Sequence, residues 1–142
     1  MPTETTRIRA GAATNFVVVV GAVSTGVHAG LTPGHLHEWP PLGAAFIAAA
    51  ATVTVAVGAL SLRPTRTSPA RVLSILFASL IAAYTGTRLV ALPPLDPVRE
   101  PLDALGACTT AVEAAGLFVA MRLGWPTKRG RHSFAITTGG TA

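Results

Sequence analysis

The chain has 142 residues, of which half are hydrophobic and only 12% charged, with a formal net charge of +5. Soluble domains carry about 25% charged residues, so this composition and a mean hydropathy of +0.53 point away from a soluble domain and toward an integral membrane protein. The basic excess does not read as a nucleic-acid surface. Phosphate-binding residues cluster on one solvated face, whereas here Lys and Arg fall in short segments flanking four apolar blocks.

In chain order, Met1 to Gly11 is a polar leader with Arg7 and Arg9, and Ala12 to Leu31 is the first apolar block, interrupted by Asn15, Ser24, Thr25 and His28. The block is longer than the apolar core of a signal peptide and lacks a clean cleavage site, so it reads as a span. A stretch rich in ligand-type residues follows, from Gly26 to Pro41, with His28, His35, His37, Glu38 and Trp39. It reads as a loop in which Pro33 and Gly34 turn the chain. Leu42 to Leu62 is the second block and matches a hydrocarbon core of roughly 30 Å, with Pro40 and Pro41 placed to open its helix. Arg63 to Arg71 is a short connection with three arginines, and Val72 to Leu92 is the third block, containing Tyr84 and Arg88. A proline-rich loop from Pro93 to Pro101 leads into Leu102 to Met121, the fourth block, with Glu113 near its centre. Arg122 to Ala142 is a basic, then Ser/Thr/Gly-rich tail whose composition predicts disorder.

Orientation follows the distribution of basic residues. Arg7, Arg9, Arg63, Arg66, Arg71, Arg122, Lys128, Arg129 and Arg131 fall on one side of the blocks, and Arg88 and Arg99 on the other. The expected fold is therefore all-α: an integral membrane four-helix bundle of two hairpins in the cell membrane, with both termini cytoplasmic. Trp39 and Trp125 fit interfacial anchors at opposite edges. The lipid bilayer is the expected partner, with room for a homo-oligomer or other membrane proteins.

The outer turns of the two hairpins echo each other. Gly26-x-His28-x-x-Leu31-x-Pro33 and Glu38-x-Pro40-Pro41-Leu42-Gly43 parallel Gly86-x-Arg88-x-x-Ala91-x-Pro93 and Glu100-Pro101-Leu102, with Gly106 a turn later. A duplication with an axis along the membrane normal gives such a pattern, and so does any pair of Gly/Pro-bounded membrane hairpins. On the first reading His28 and Arg88 are equivalent positions.

Polar side chains inside a bilayer need a protein partner or a cavity. Glu113 shares a small, polar helical face with Gly106, Thr109, Thr110, Gly116, Leu117 and Ala120, which should turn its carboxyl into the bundle. It serves either as a neutral hydrogen-bonding group or in an ion or proton role. On the first helix His28 shares a stripe with Gly21, Ser24 and Thr25. On the third, Ala78, Ala82 and Gly86 offer a close-packing seam. Arg88, one turn from Tyr84, either snorkels outward or balances Glu113, Glu100 or Asp103. His28, His35 and Glu38 form a candidate ligand set for a transition metal such as zinc, copper or iron, though solvated loop histidines account for the same residues. His37 would face away from His35 in an extended segment. A Gly-rich phosphate cradle, a serine elbow and paired cysteines are all missing from the sequence, and no catalytic constellation stands out. Cys108 reads as a small apolar filler.

Around Pro33-Gly34-His35-Leu36-His37-Glu38 the chain resembles small actinobacterial four-span membrane proteins of unassigned activity. Their outer turn reads Pro, an acid, His, two variable residues and Glu. Gly34 stands here in place of the acid. Arg88 with Leu92-Pro93, and Glu100, Asp103 and Glu113, match further features of that group. The resemblance implies the four-span architecture and nominates these residues, and carries no activity with it. Three roles follow as expectations: an outward-facing site for a metal ion or small ligand, a small proton-coupled transport component in which Glu113 titrates and His28 relays, or a structural subunit of a membrane complex.

Overall fold

A computed structural model describes residues 4–90 and 101–125, except for the side chains of residues 6, 7 and 9. Among the described residues the chain is all-helical, with α1 at Glu4–Glu38, α2 at Pro40–Leu62, α3 at Thr67–Leu89 and α4 at Ala104–Gly124. All four helices are long and apolar enough to cross a membrane. Each helix packs against its neighbours in the ring α1–α2–α3–α4–α1, and most of each helix's surface faces outward. The outward positions include Val19, Val55, Ile75 and Phe118. The core is small and aliphatic, with Val17, Val20, Val53, Ala56, Leu60, Leu73 and Phe77 meeting along the axis.

The first correction to the sequence reading concerns α1. The part of the histidine stretch beyond the first block, Thr32 to Glu38, is not a loop: α1 continues through Pro33 and Gly34 to Glu38. At about 1.5 Å per residue its 35 residues rise roughly 52 Å, well beyond a hydrocarbon core of about 30 Å. Pro33 lacks the N–H that would bond the carbonyl of Ala29, and the helix continues regardless because its last turns pack on α2. A Cβ built on Gly43 would lie 2.6 Å from the Leu36 backbone, so the missing side chain lets the two helices touch main chain to side. The turn then shrinks to Trp39, in extended conformation at φ −148° and ψ 94°, with Pro40 and Pro41 opening α2 as expected. The Trp39 N–H donates to His35 O at 2.8 Å, and Trp39 O accepts from Leu42 N at 3.0 Å.

The α2–α3 connection is equally tight. Arg63 N donates to Ala59 O, Arg66 N donates to Arg63 O, and α3 begins at Thr67 with Pro69 in its first turn. The seam expected at Ala78, Ala82 and Gly86 is not the packed face of α3. Ala78 and Ala82 are exposed, and α3 buries Ala70, Leu73, Ser74 and Phe77 instead, because Phe77 fills the space beside Gly116 of α4. Arg122 to Gly124, expected to open the tail, continue α4 instead, while Glu100, residues 93–99 of the proline-rich loop and residues 126–142 of the tail lie outside the described residues.

Two glycine substitutions separate close packing from open surface. Gly43→Ala should destabilise by about 1–3 kcal/mol, the usual cost of overpacking. Gly58, which has nothing within 4 Å of a built Cβ, should gain up to about 1 kcal/mol from the better helix propensity of alanine. Unfolding of both variants in one detergent reads the difference, and equal effects would contradict the close approach at Gly43.

Candidate functional site

Of the buried polar side chains described, Thr14, Ser74 and Thr109 turn their hydroxyls back onto the carbonyls of Ala10, Ala70 and Leu105 in their own helices. Ser24 does not. It is fully buried, and its Oγ donates across the bundle to Glu113 Oε1 at 2.6 Å. Glu113 is itself only 2% exposed, so its carboxyl points into the bundle as its helical face predicts. It stands nine residues from the start of α4 and eleven from its end, close to mid-span at roughly 14 and 17 Å. One turn further along, Gly116 admits Val20, whose Cγ1 would lie 2.5 Å from a Cβ there. The α1–α4 approach that makes the Ser24–Glu113 bond possible thus depends on a glycine.

His28 sits one turn beyond Ser24 on α1, half-buried, with Nδ1 2.8 Å from Ser24 O. A carbonyl only accepts, so Nδ1 carries the proton and Nε2 is the nitrogen left to accept a proton or bind a cation. Ser24 therefore meets Glu113 through its hydroxyl and His28 through its carbonyl. The stripe of Gly21, Ser24, Thr25 and His28 expected from the sequence faces the interior as a continuous strip, its members buried or half-buried.

His35 is on the same face two turns on, but the two imidazoles do not meet. The Phe46 ring of α2 lies against both, with its centroid 4.5 Å from His35 in a stacked arrangement and 5.2 Å from His28 in a tilted one. Glu38 is exposed at the last residue of α1, ten residues and roughly 15 Å past His28. His37 is exposed too, turned from His35 by helical rather than extended geometry. Among the described residues no three His, Cys, Asp or Glu side chains are placed to hold a metal ion. Zinc, copper or iron needs three or four converging donors, so the His28, His35 and Glu38 set gains no geometric support. Sequence reasoning missed Phe46, the one aromatic residue in an alanine- and valine-rich helix. Its lone bulk was the available signal.

Arg88 chooses between the two roles expected of it. Its Nη2 pairs with Asp103 Oδ2 at 2.7 Å, and its guanidinium lies 4.4 Å from the centre of the Tyr84 ring. Arg88 does not balance Glu113, which sits ten residues further along α4. Asp103 caps α4 as well, its Oδ1 accepting from Gly106 N at 2.6 Å, and Tyr84 packs where a side chain on Gly106 would stand. The Gly106 N–H, with Arg88 beside it, holds the Asp103 carboxyl below the usual carboxylate range. These four residues clamp the ends of α3 and α4 together. At the opposite end Arg71 Nε donates to Gly124 O at 2.8 Å, and its guanidinium lies 5.4 Å from the Trp125 ring centre. Cys108 is exposed rather than an interior filler.

Ser24→Ala would leave the buried carboxyl without its donor and should cost about 1–3 kcal/mol. Ser74→Ala, which removes only a bond within its own helix, should cost less than about 1 kcal/mol. Comparative unfolding of the two variants checks the distinction. Because the Asp103 carboxyl is harder to protonate in the folded chain than in the unfolded one, the clamp's contribution is complete above the usual carboxylate range. It is lost as pH falls through the depressed value. Acid titration should therefore weaken the wild type more than Asp103→Asn.

No family model, curated protein or solved structure matches this chain.

Proposed function

We propose that this chain is a multi-pass membrane protein whose working group is the Glu113 carboxyl, taking up and releasing a proton or binding a small cation in a proton-coupled transport step. The observation that carries this reading is a carboxyl at mid-span, 2% exposed and held by a hydroxyl from another helix. Ionisable groups at such depth are costly and concentrate on ion and proton pathways. His28 is the relay on the Trp39 side, with Nε2 open to accept, and Ser24 is the positioning residue that fixes both partners. In this reading the four helices span the cell membrane with both termini cytoplasmic. The distribution of nine basic residues on one side against two on the other supports that orientation, and the tryptophans at opposite ends of the bundle support the spanning arrangement. The Arg88–Asp103 clamp then lies at the outer face.

A purely structural role for Glu113 makes a different prediction, because a glutamine carbonyl still accepts from the Ser24 hydroxyl. In proteoliposomes carrying a pH-sensitive dye and an imposed potential, Glu113→Gln should keep the fold and abolish proton flux, while His28→Ala should slow it. Retained flux in Glu113→Gln would refute the proposal. Topology is read separately, in a Cys108→Ser background, by labelling from outside the cell. Gly34→Cys should react with an impermeant thiol reagent and Ser68→Cys should not, and the reverse pattern would invert the orientation.

A further inference from the structure

We infer that Phe46 is the barrier between the Trp39 end of the bundle and the Ser24–His28–Glu113 site, so that its ring must turn aside before a proton or cation can pass. The inference deepens the proposed function and rests on it for what passes; the barrier itself rests on geometry. His28 and His35 occupy the same face of α1 seven residues apart, roughly 10 Å along the axis. A chain of imidazoles at that spacing would hand a proton onward through one or two waters. Phe46 occupies the gap, with its centroid 5.2 Å from one imidazole and 4.5 Å from the other. A phenyl ring has no hydrogen-bonding group, and the one hydroxyl between the two histidines on this face, Thr32, donates back to His28 O at 2.9 Å, so Phe46 stands where a polar path between the imidazoles would run.

The placement of Phe46 is built into the fold. The Gly43 contact with the Leu36 backbone sets the register of α2 against α1, and Phe46 is the next residue on that face of α2, three positions later. Its neighbours on both sides in sequence are small or aliphatic: Ala44, Ala45, Ile47 and Ala48. Ile47, the other bulky residue at this level of α2, is exposed, so Phe46 is the α2 side chain that meets the two histidines. The two ring contacts differ as well. His35 is stacked at an interplanar angle of 29° and His28 is tilted at 39°, so the ring packs closer to the outer imidazole. Rotation about the Phe46 side chain would free the His28 side while α1 and α2 stay docked at Gly43. Phe46 is therefore a positioning residue for access, and Glu113 and His28 remain the groups that bind.

The test uses the full chain in vesicles, with His28→Cys in a Cys108→Ser background and a cationic, membrane-impermeant thiosulfonate as the probe. With Phe46 present the thiol should react slowly. Adding Phe46→Ala should speed the reaction by about tenfold, the factor that goes with removing roughly 1.4 kcal/mol of opening cost. His35→Cys, on the Trp39 side of the ring, should react faster than His28→Cys while Phe46 is present and should gain less from its replacement. Should Phe46→Ala fail to fold, Phe46→Leu keeps most of the apolar volume and should give an intermediate rate. Equal rates at position 28 with Phe46 and with either replacement, in folded protein, would overturn the inference. A parallel flux measurement separates the two ideas. If Glu113-dependent proton flux is missing from wild type and from Phe46→Ala alike, the proposed function fails, and the thiol rates still decide whether Phe46 is a barrier.

Discussion

The hydrogen bond from Ser24 to Glu113 is the interaction on which the interior depends. A carboxyl buried near the middle of a bundle of apolar helices is shut away from solvent, and leaving it without a donor would cost the full desolvation of the group. The chain meets that constraint with one hydroxyl, from the helix on the other side of the interface. Everything nearby follows from bringing α1 and α4 close enough for a 2.6 Å contact. Gly116 makes room for Val20, the hydroxyls of Thr109 and Ser74 are satisfied within their own helices, and Phe77 closes the space behind. His28 is then drawn into the same unit through the Ser24 carbonyl.

The ends of the bundle are held by different means. At the Trp39 end, α1 and α2 are joined by a turn of a single residue and a main-chain contact at Gly43, a rigid connection that fixes where Phe46 lands. At the same end α3 and α4 are tied by Arg88 and Asp103, an ion pair reinforced by the Tyr84 ring and by the capping bond to Gly106. Arg71 performs a similar service at the far end by donating to the last carbonyl of α4, that of Gly124. An exposed ion pair contributes little by itself, and Asp103 is effective here because one carboxylate serves both as helix cap and as partner of a largely buried guanidinium. With the periphery clamped in this way, the barrier inferred near the site is a side chain, Phe46, rather than a helix.

Much of this was legible in the sequence. Four apolar blocks of span length gave the four helices, and Pro40-Pro41 marked the start of α2. The small, polar face around Glu113 put the carboxyl inside. Arg88 and Asp103 were both recognised as charges near one mouth, although their pairing could not be told from the snorkelling alternative, since both place a guanidinium at a helix end. The extent of α1 was misread because Pro33-Gly34 is a strong local turn signal. Tertiary packing of Leu36 on Gly43 overrides it, and no local pattern encodes that contact. The same error inflated the ligand cluster: histidines in a flexible loop can converge on an ion, whereas on a rigid helix His28, His35 and Glu38 are held at fixed separations. The seam at Ala78, Ala82 and Gly86 failed for a related reason. Small residues permit close approach without requiring it, and the bulk of Phe77 decided which face of α3 turned inward. Phe46 carried no motif at all and acquired its role from the register of two helices.

A proton-coupled role requires that Glu113 change its protonation state in the folded, membrane-embedded protein. Infrared difference spectroscopy between two pH values, recorded on reconstituted wild type and Glu113→Gln, addresses this directly through the carbonyl stretch of a protonated carboxyl. A proton-coupled Glu113 should give one buried carboxylic-acid band that appears and disappears with pH in the wild type, shifts when Ser24 is replaced by alanine, and is missing from Glu113→Gln. A band that stays constant across the whole pH range in which the bundle is folded would make Glu113 a permanent hydrogen-bonding group and contradict the proton-coupled role.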